Sequence, residues 1–285
     1  MRYIKDSQNF LHSRKLVNKL IAQSNITKED TVLEIGPGKG IITEALDRVA
    51  KEVIAVELDE KLFNNLKIKD WHNTKFLNLD FLNYKFDKKV KIFSNIPFNM
   101  TTDILSVITK NFEYIEDFYL IMQKEAAGRF IGAPYQPESL RSLLLKPIYD
   151  GKVVYRFNNT DFSPVPNVDI VLVHFHKKKI LDVKNTLVYD YWNFVAYMYN
   201  AHGRIFDEKT SQLFSHEQQK RLRKSINIDK YSIISTWNYE QWLGMFNCYN
   251  QYVEGQKKNL ITGALKRQNI KESKLQKEYR NRKRK

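Results

Sequence analysis

Short apolar runs rich in β-branched residues alternate with helical patterns between residues 31 and 176. These runs predict strands at residues 31–35, 53–57, 75–79, 91–95, 118–122, 153–157 and 169–175. The intervening patterns predict helices at residues 41–50, 60–69, 101–110 and 124–130. Strands that alternate with helices indicate an α/β fold with a mainly parallel sheet. A loop with Pro164 and Pro166 joins the last two strands, which predicts an antiparallel pair at one edge.

The pattern changes after residue 179, just beyond a run of three lysines. Residues 186–253 are aromatic and have helical spacing, as in Tyr191, Phe194, Val195 and Met198. We therefore expect a first domain at residues 1–179 and a small all-helical domain at residues 180–253. Residues 254–285 are expected to form a basic tail that is disordered without RNA.

Positive charge is concentrated at the end of the chain. The net charge is +15, and residues 251–285 contribute +9, from 12 Lys and Arg against 3 Glu. A large positive charge indicates a polyanionic partner, which for a soluble protein is usually nucleic acid. Two interpretations of the tail remain open: a solvated segment that aids solubility, or an arm that binds phosphates.

The single cysteine, Cys248, excludes an internal disulfide and a zinc site built from cysteines. Residues 1–15 hold no apolar run of signal-peptide length, and no later stretch reaches membrane-span length. We therefore expect a cytoplasmic protein with no membrane partner.

The strongest local motif is E-I-G-P-G-K-G, where a predicted strand leads through Gly36, Gly38 and Gly40 into a helix. Glycines at such a turn permit positive φ and let a ligand approach the backbone. The spacing differs from the G-x-G-x-x-G of dinucleotide sites, because Ile41 takes the third position. It fits better an adenosyl ligand with a small zwitterion, such as S-adenosylmethionine (SAM). A purely structural turn is the alternative.

Two acidic residues follow the next two predicted strands. Glu57 ends the second strand, where a carboxylate can accept both hydroxyls of a ribose. Asp59 is better placed to cap the following helix. Asp80 ends the third strand, where it can accept the amine of an adenine. Ligands bind at this carboxyl edge in open α/β sheets.

The fourth strand ends in S-N-I-P-F-N, which offers two acceptors and a stacking face. Asn95 supplies an amide oxygen, Ile96 a carbonyl and Phe98 an aromatic ring. A planar base with an exocyclic NH₂ needs such groups. A capped turn with a core Phe is the competing interpretation. Near the N-terminus, the segment from Gln8 to His12 could close over a cofactor.

Six motifs share one order and spacing: S-Q-N-F-L, E-I-G-P-G-K-G, V-E-L-D, N-L-D-F, N-I-P-F-N and F-S-P-V-P-N-V-D. They resemble the rRNA adenine N6-methyltransferase family over about residues 6–253. The family includes the dimethyladenosine transferases of the small subunit and the Erm resistance methyltransferases of the large subunit. Residues 237–246 and 191–197 resemble the Erm branch. Two features depart from it: Phe98, where many Erm members carry Tyr, and the long basic tail.

The resemblance implies that residues 1–179 form a Rossmann-like, SAM-binding catalytic domain and that residues 180–253 bind rRNA. It also implies a set of cofactor-binding residues. They are Asn9, Leu11, Gly36, Gly38, Glu57, Asp80 and Asn95. In this assignment the first two contact SAM from the N-terminal segment, and the glycines line its methionine end. Glu57 binds the ribose and Asp80 the adenine amine of SAM.

Asn95, Ile96 and Phe98 are the expected catalytic residues, and they act by aligning the target adenine rather than as a strong base. The expected substrate is large-subunit 23S rRNA, naked or in a ribosome precursor, and the expected outcome is resistance to macrolide, lincosamide and streptogramin B antibiotics. We expect a monomer. The histidines, including His174 and His176, show no pattern with carboxylates, so no metal is expected.

Two alternatives remain: a 16S rRNA dimethyladenosine transferase with the same chemistry, and a non-catalytic nucleic-acid-binding module on the same fold. The choice of the methylated adenine and the number of methyl groups stay open.

Overall fold

The computed structural model describes residues 9–282, and side chains for residues 9–274. The described chain divides into two compact units, residues 9–128 with 149–178 and residues 129–148 with 179–282. The second unit begins at residue 179, where a boundary was expected. It also takes in residues 129–148, which the sequence prediction assigned to the catalytic domain. A local change in composition cannot reveal that residues 129–148 belong to the second unit, because their long-range packing determines it.

The first unit contains a seven-stranded sheet. Its strands are β2 (Thr31–Ile35), β3 (Glu52–Glu57), β4 (Thr74–Asn78), β5 (Val90–Asn95), β6 (Ile115–Gln123), β7 (Tyr149–Arg156) and β9 (Ile170–Lys177). The order is β4-β3-β2-β5-β6-β9-β7. The first five strands of this order, from β4 through β3, β2 and β5 to β6, are parallel to one another. Strand β9 is antiparallel to β6, and β7 is antiparallel to β9. The predicted parallel sheet with an antiparallel edge pair is confirmed.

Helix α1 (Arg14–Ala22) precedes the parallel strands of this unit, and helices α2 (Ile41–Asp47), α3 (Glu60–Lys67) and α4 (Thr101–Lys110) connect successive ones. Helix α5 (Lys124–Ile131) follows β6 and contains the first unit boundary. Side-chain caps fix two of the helix starts. Ser13 accepts from the Leu16 amide at 3.2 Å, and Asp59 accepts from the Leu62 amide at 3.0 Å. The predicted capping role of Asp59 is thus confirmed.

A second, two-stranded sheet holds the start of the described chain. Strand β1 (Phe10–Leu11) pairs antiparallel with β8 (Phe162–Ser163). The His12 Nε2 atom lies 2.8 Å from the Thr160 carbonyl, which adds a further contact between these two segments. Because β8 lies in the F-S-P-V-P-N-V-D motif, this motif fixes the N-terminal segment. Gln8, part of the segment expected to close over a cofactor, lies outside the described residues.

The second unit is helical, as predicted for the C-terminal region. Its helices are α6 (Leu140–Leu145), α7 (Val188–Asn200), α8 (Phe206–Thr210), α9 (His216–Ile226), α10 (Tyr239–Tyr252), α11 (Gly255–Ile261) and α12 (Ala264–Arg282). Its core is aromatic, with Trp192, Phe194, Trp237 and Trp242 at most 1% exposed. The Trp192 indole N–H donates to the Leu144 carbonyl at 2.8 Å, so α6 and α7 share a buried hydrogen bond.

The predicted tail is helical within the described residues, which corrects the expectation of disorder. Helix α12 packs on α7, with Ala264 6% exposed and the Leu265 amide donating to Asn193 Oδ1 at 3.1 Å. Ile261, at the end of α11, is 3% exposed. The prediction weighed the charge of the segment and overlooked its few apolar residues, which supply the burial that orders it. Residues 283–285 lie outside the described part. None of the described helices is both long and apolar enough to cross a membrane.

Candidate active site

A pocket opens in the first unit at the carboxyl ends of β2 and β5. It holds about 580 Å³ of empty space, part of it open to solvent, within the size range of small-molecule sites. Its lining is Asn9, Phe10, Leu11, Glu34, Gly36, Pro37, Lys39, Ile41, Ile42, Asn95, Ile96, Pro97 and Phe98. The structure therefore brings together six of the nine predicted site residues here. Gly38 and Glu57 lie next to this lining, and Asp80 does not line the pocket.

The glycine turn between β2 and α2 has the positive φ angles that its sequence predicts. Gly36 has φ +67° and Gly38 has φ +60°. The Gly36 amide donates to the Val56 carbonyl at 2.9 Å, which ties the turn to β3. A Cβ on Gly38 would lie 2.7 Å from the Phe10 ring, whereas a Cβ on Gly36 would meet no atom within 4 Å. The turn is thus covered by Phe10 at Gly38 and open at Gly36.

Glu57 holds the glycine turn through its buried carboxylate. Its Oε2 accepts from the Gly38 amide at 3.0 Å, and its Oε1 accepts from the Asp59 amide at 2.9 Å. Burial raises the pKa of Glu57, although both hydrogen bonds oppose that rise. Each carboxylate oxygen can accept a second hydrogen bond, so Glu57 keeps acceptor capacity beyond its structural contacts.

Asp80 lies two residues past the end of β4 and caps a short 3₁₀ turn, Phe81–Asn83. Its Oδ1 accepts from the Leu82 amide at 2.9 Å. The side chain is half-buried. The local turn thus fixes one carboxylate oxygen, and no described residue donates to the other.

Asn95 is the last residue of β5 and lines the pocket. Its Nδ2 donates to the Asn9 carbonyl at 2.7 Å, which leaves Oδ1 as an acceptor. Ile96 is 2% exposed, and its amide donates to the Ile121 carbonyl at 3.3 Å. No described residue donates to the Ile96 carbonyl. Phe98 is half-buried and packs against the core at the start of the next turn.

Sequence reasoning missed Glu34, a carboxyl group inside β2 that lines the pocket. Glu34 is 1% exposed, and its Oε2 has no hydrogen-bond partner among the described residues. Burial raises the pKa of Glu34 to about 8, and the nearby charge of Glu57 acts in the same direction. The signal was available in the sequence as a single charged residue within an apolar strand. Such a group at a pocket is a candidate to face a cationic ligand atom.

The expectation that His174 and His176 have no carboxylate partner is wrong. Pairing of β6 with β9 places His174 Nε2 and His176 Nδ1 each 2.8 Å from Asp117 Oδ1. Asp117 Oδ2 accepts from Asn25 Nδ2 at 3.0 Å, and His174 stacks on Tyr119 at 4.0 Å between ring centroids. Burial acts to raise the pKa of Asp117, but these hydrogen bonds outweigh it and lower the pKa. Among residues 9–274, Asp117, His174 and His176 have potential ligand atoms close enough together to hold a metal ion. Asp117 Oδ1 is already hydrogen bonded to one nitrogen of each histidine.

A mainly parallel seven-stranded sheet with a glycine turn, a carboxylate after the next strand and an Asn-Ile-Pro-Phe turn defines a Rossmann-like methyltransferase. The family described as ribosomal RNA adenine dimethylase matches residues 2–251. The chain therefore belongs to that family and is an rRNA adenine N6-methyltransferase.

Curated relatives agree with this assignment. An rRNA adenine N-6-methyltransferase of Escherichia coli is 32% identical over 251 residues, covering 86% of this chain and 96% of that protein. Its Bacillus anthracis counterpart is 30% identical over 250 residues, covering 86% of each chain. A ribosomal RNA small subunit methyltransferase A of Metamycoplasma arthritidis is 33% identical over 189 residues, covering 64% of this chain and 72% of that protein.

Two solved structures share the fold. The 23S rRNA methyltransferase ErmE aligns with TM-score 0.75 and 22% identity, covering 85% of this chain and all of the ErmE chain. A Plasmodium falciparum dimethyladenosine transferase aligns with TM-score 0.71 and 19% identity, covering 85% of this chain and 98% of that one.

We expect Glu34→Gln to remove a pH dependence of stability from the protein without added ligand. In the folded protein the pKa of Glu34 is about 8, above the ordinary value of 4.5 that a glutamate has in an unfolded chain. Between these values only the folded protein holds the proton, so its stability falls as pH rises, by at most about 1.4 kcal/mol per pH unit. Urea unfolding from pH 5 to 8 should therefore show a shallower decline for the variant. Glu29→Gln, at an exposed turn, is the matched control, and equal slopes for parent and Glu34→Gln would disprove the buried titration.

Proposed function

We propose that this protein methylates N6 of an adenine in large-subunit 23S rRNA with SAM as donor, and that it confers resistance to macrolide, lincosamide and streptogramin B antibiotics. The observation that carries the chemistry is the arrangement at the end of β5. Asn95 presents an amide oxygen and Ile96 a carbonyl to which no described residue donates, and Phe98 presents an aromatic ring, beside a pocket that starts at the glycine turn.

The pocket residues fit SAM in shape and charge. Gly36 leaves open space at the turn, which lets a ligand approach the backbone there. The buried Glu34 carboxyl has an unpaired oxygen, which is suited to a cationic part of the cofactor. Glu57 keeps acceptor capacity for the ribose, and Asp80 has one oxygen left for the adenine amine. Asn9 and Leu11 would contact the cofactor from β1. When bound, SAM supplies the methyl group and a positive sulfonium that activates it.

Alignment of the adenine amine is the main catalytic task of the chain. The lone pair of an adenine amine is delocalised into the ring, so the amine is a weak nucleophile. Asn95 Oδ1 and the Ile96 carbonyl can accept both N–H groups and turn the lone pair toward the methyl carbon. Phe98 can stack on the base, which offsets part of the few kcal/mol spent on extruding it. After transfer, the proton on N6 is acidic and leaves to an acceptor or to water.

The choice of the large subunit is supported by resemblance beyond the pocket. Residues 237–246 and 191–197, in the second unit, resemble the Erm branch.

A 16S rRNA dimethyladenosine transferase is the second candidate, and the small-subunit relatives favour it. One of these is 33% identical over 64% of this chain, and another is 30% identical and covers 82% of it. The pocket chemistry is the same for both substrates, so the site does not separate them.

The first test compares the two rRNAs directly. Purified full-length protein should transfer labelled methyl from SAM to 23S rRNA, and not to 16S rRNA, when each comes from cells that lack both modifications. Primer extension should then stop at one adenine of the 23S rRNA, whereas RNA incubated without SAM should be read through. Label in 16S rRNA alone would overturn the large-subunit assignment and establish the second candidate.

Asn95→Ala should lower single-turnover methylation by at least roughly 100-fold, the cost of losing one positioned hydrogen-bonding group at a transition state. SAM binding should weaken far less. Asn99→Ala, an exposed amide in the same turn, is the matched control and should keep the parent rate. A near-parent rate for Asn95→Ala in folded protein would contradict the alignment mechanism.

Phe98 separates stacking from other contributions. Phe98→Tyr keeps the ring and should retain activity, whereas Phe98→Ala should lose roughly 5- to 150-fold in kcat/KM through the stacked base. Steady-state kinetics with the rRNA substrate measures both variants, and calorimetry checks that each still binds SAM. If the Ala variant were as active as the Tyr variant, Phe98 would not act by stacking.

A further inference from the structure

Helices α11 and α12 extend the chain beyond the family match, which ends at residue 251. Helix α12 is attached to α7 by specific contacts within the second unit. Asn200 Nδ2 donates to Gln268 Oε1 at 2.8 Å, and Glu272 forms an ion pair with Arg141. A segment that served only solubility would have no need of a docked helix, so the docking itself requires a reason.

The docked helix creates a cleft against the end of α7. The cleft holds about 600 Å³ of empty space, open to solvent. Its lining is Ala196, Tyr197, Asn200, Ala201, Ala264, Arg267, Gln268 and Lys271. This lining combines three small residues with an aromatic ring, two amides and two cations, and it contains no acidic residue.

The polar side chains of the cleft differ in how many of their hydrogen-bonding atoms are already used within the protein. Asn200 uses its Nδ2 within the protein, which leaves Oδ1 as an acceptor. Tyr197 is half-buried, and burial raises its pKa, so its hydroxyl stays protonated at neutral pH. Arg267 already donates to the Thr262 and Leu260 carbonyls. Lys271 is exposed and forms no ion pair with a described residue.

The charge around the cleft favours a polyanion. Lys266 and Lys274 flank it on α12, are exposed and have no acidic partner among residues 9–274. The acid of this stretch, Glu272, is neutralised by Arg141. Cations that are not used for folding are available for phosphates, and a tyrosine between them offers a face on which a base can stack.

We propose that the α7–α12 cleft binds a single-stranded segment of the RNA substrate, with one base stacked on Tyr197 and the adjoining phosphates at Lys271 and Arg267. The proposal rests on the proposed function, because it takes rRNA as the substrate. The cleft adds affinity and register and does not select the adenine, since phosphate contacts position the nucleic acid without reading its sequence.

The test measures RNA binding by full-length variants. Tyr197→Ala should raise the Kd for an rRNA fragment that contains the target adenine by roughly 5- to 150-fold, the loss of one stacked base. Tyr197→Phe keeps the ring and should bind as the parent does. Lys271→Ala should flatten the slope of log Kd against log salt by about 0.7, the value for one phosphate contact in single-stranded nucleic acid.

Matched controls lie in the same unit. Tyr231→Ala removes a tyrosine that is 63% exposed, and Lys184→Ala removes an exposed lysine. Both should bind RNA as the parent does. The cleft proposal is overturned if Tyr197→Ala and Lys271→Ala change binding no more than these controls do. It is also overturned if a polyglutamate peptide, rather than RNA, binds in a Tyr197-dependent way, since the cleft would then fit an acidic protein.

The same samples separate the cleft from the proposed function. Parent protein that methylates rRNA, with cleft variants that bind RNA normally, rejects the cleft alone. Parent protein that methylates no rRNA, with RNA binding that still depends on Tyr197 and Lys271, rejects the proposed function and supports the cleft. Weakened RNA binding by the cleft variants, with methylation still at the same adenine, supports a cleft that adds affinity without selecting the adenine, whereas methylation at a different adenine would overturn that statement.

Discussion

The buried hydrogen bond between Glu57 and the Gly38 amide is the constraint on which the candidate site depends. A carboxylate with 3% exposure is costly unless it is hydrogen bonded, and the backbone of the glycine turn supplies one of its two donors. The bond links the tip of β3 to the turn after β2, so two neighbouring strands share one rigid edge. Because Gly38 has positive φ and lies against Phe10, another residue there would strain the backbone and push that ring away. Phe10 in turn is fixed by pairing with Ser163. The site is therefore assembled from three distant parts of the chain around one carboxylate.

The sequence predicted most of the residues at this edge of the sheet, but few of the long-range hydrogen bonds that hold them in place. The glycine turn, Glu57 and the turn that begins at Asn95 follow directly from strand ends, because the carboxyl ends of parallel strands meet at one edge. The hydrogen bond between Asn95 and the Asn9 carbonyl joins residues that lie 86 positions apart, and no local sequence pattern predicts it. The same is true of Asp117 with His174 and His176, which an antiparallel register brings together. Asp80 differs from these residues because its position depends on a local turn. The sequence pattern placed it at the end of the strand, but it lies two residues beyond β4 and caps the following turn.

Outside the first unit, the prediction failed where packing outweighs composition. Residues 129–148 join the second unit, where Leu144 accepts from Trp192 and Glu138 accepts from Tyr199 through backbone carbonyls. The basic segment at the end of the chain contains enough apolar surface at Ile261 and Ala264 to dock as helix. High charge marks a segment as soluble, but a few buried apolar residues decide whether it is ordered. The charge of a segment can be read directly from its sequence, whereas the burial of its residues is known only once the fold is known.

The chemistry proposed for the pocket needs an amide at position 95 rather than a carboxylate. Asn95 donates through Nδ2 to the Asn9 carbonyl, and the proposed chemistry assigns its Oδ1 to the adenine amine, so that chemistry requires both a donor and an acceptor. An ionised aspartate would have no N–H to donate and would set a negative oxygen against the Asn9 carbonyl at 2.7 Å. A protonated aspartate would restore one donor, but only at the cost of a strongly raised pKa. In the proposed mechanism, the neutral amide of Asn95 would therefore serve both the N-terminal segment and the substrate, so one side chain would be both part of the pocket wall and the catalytic acceptor.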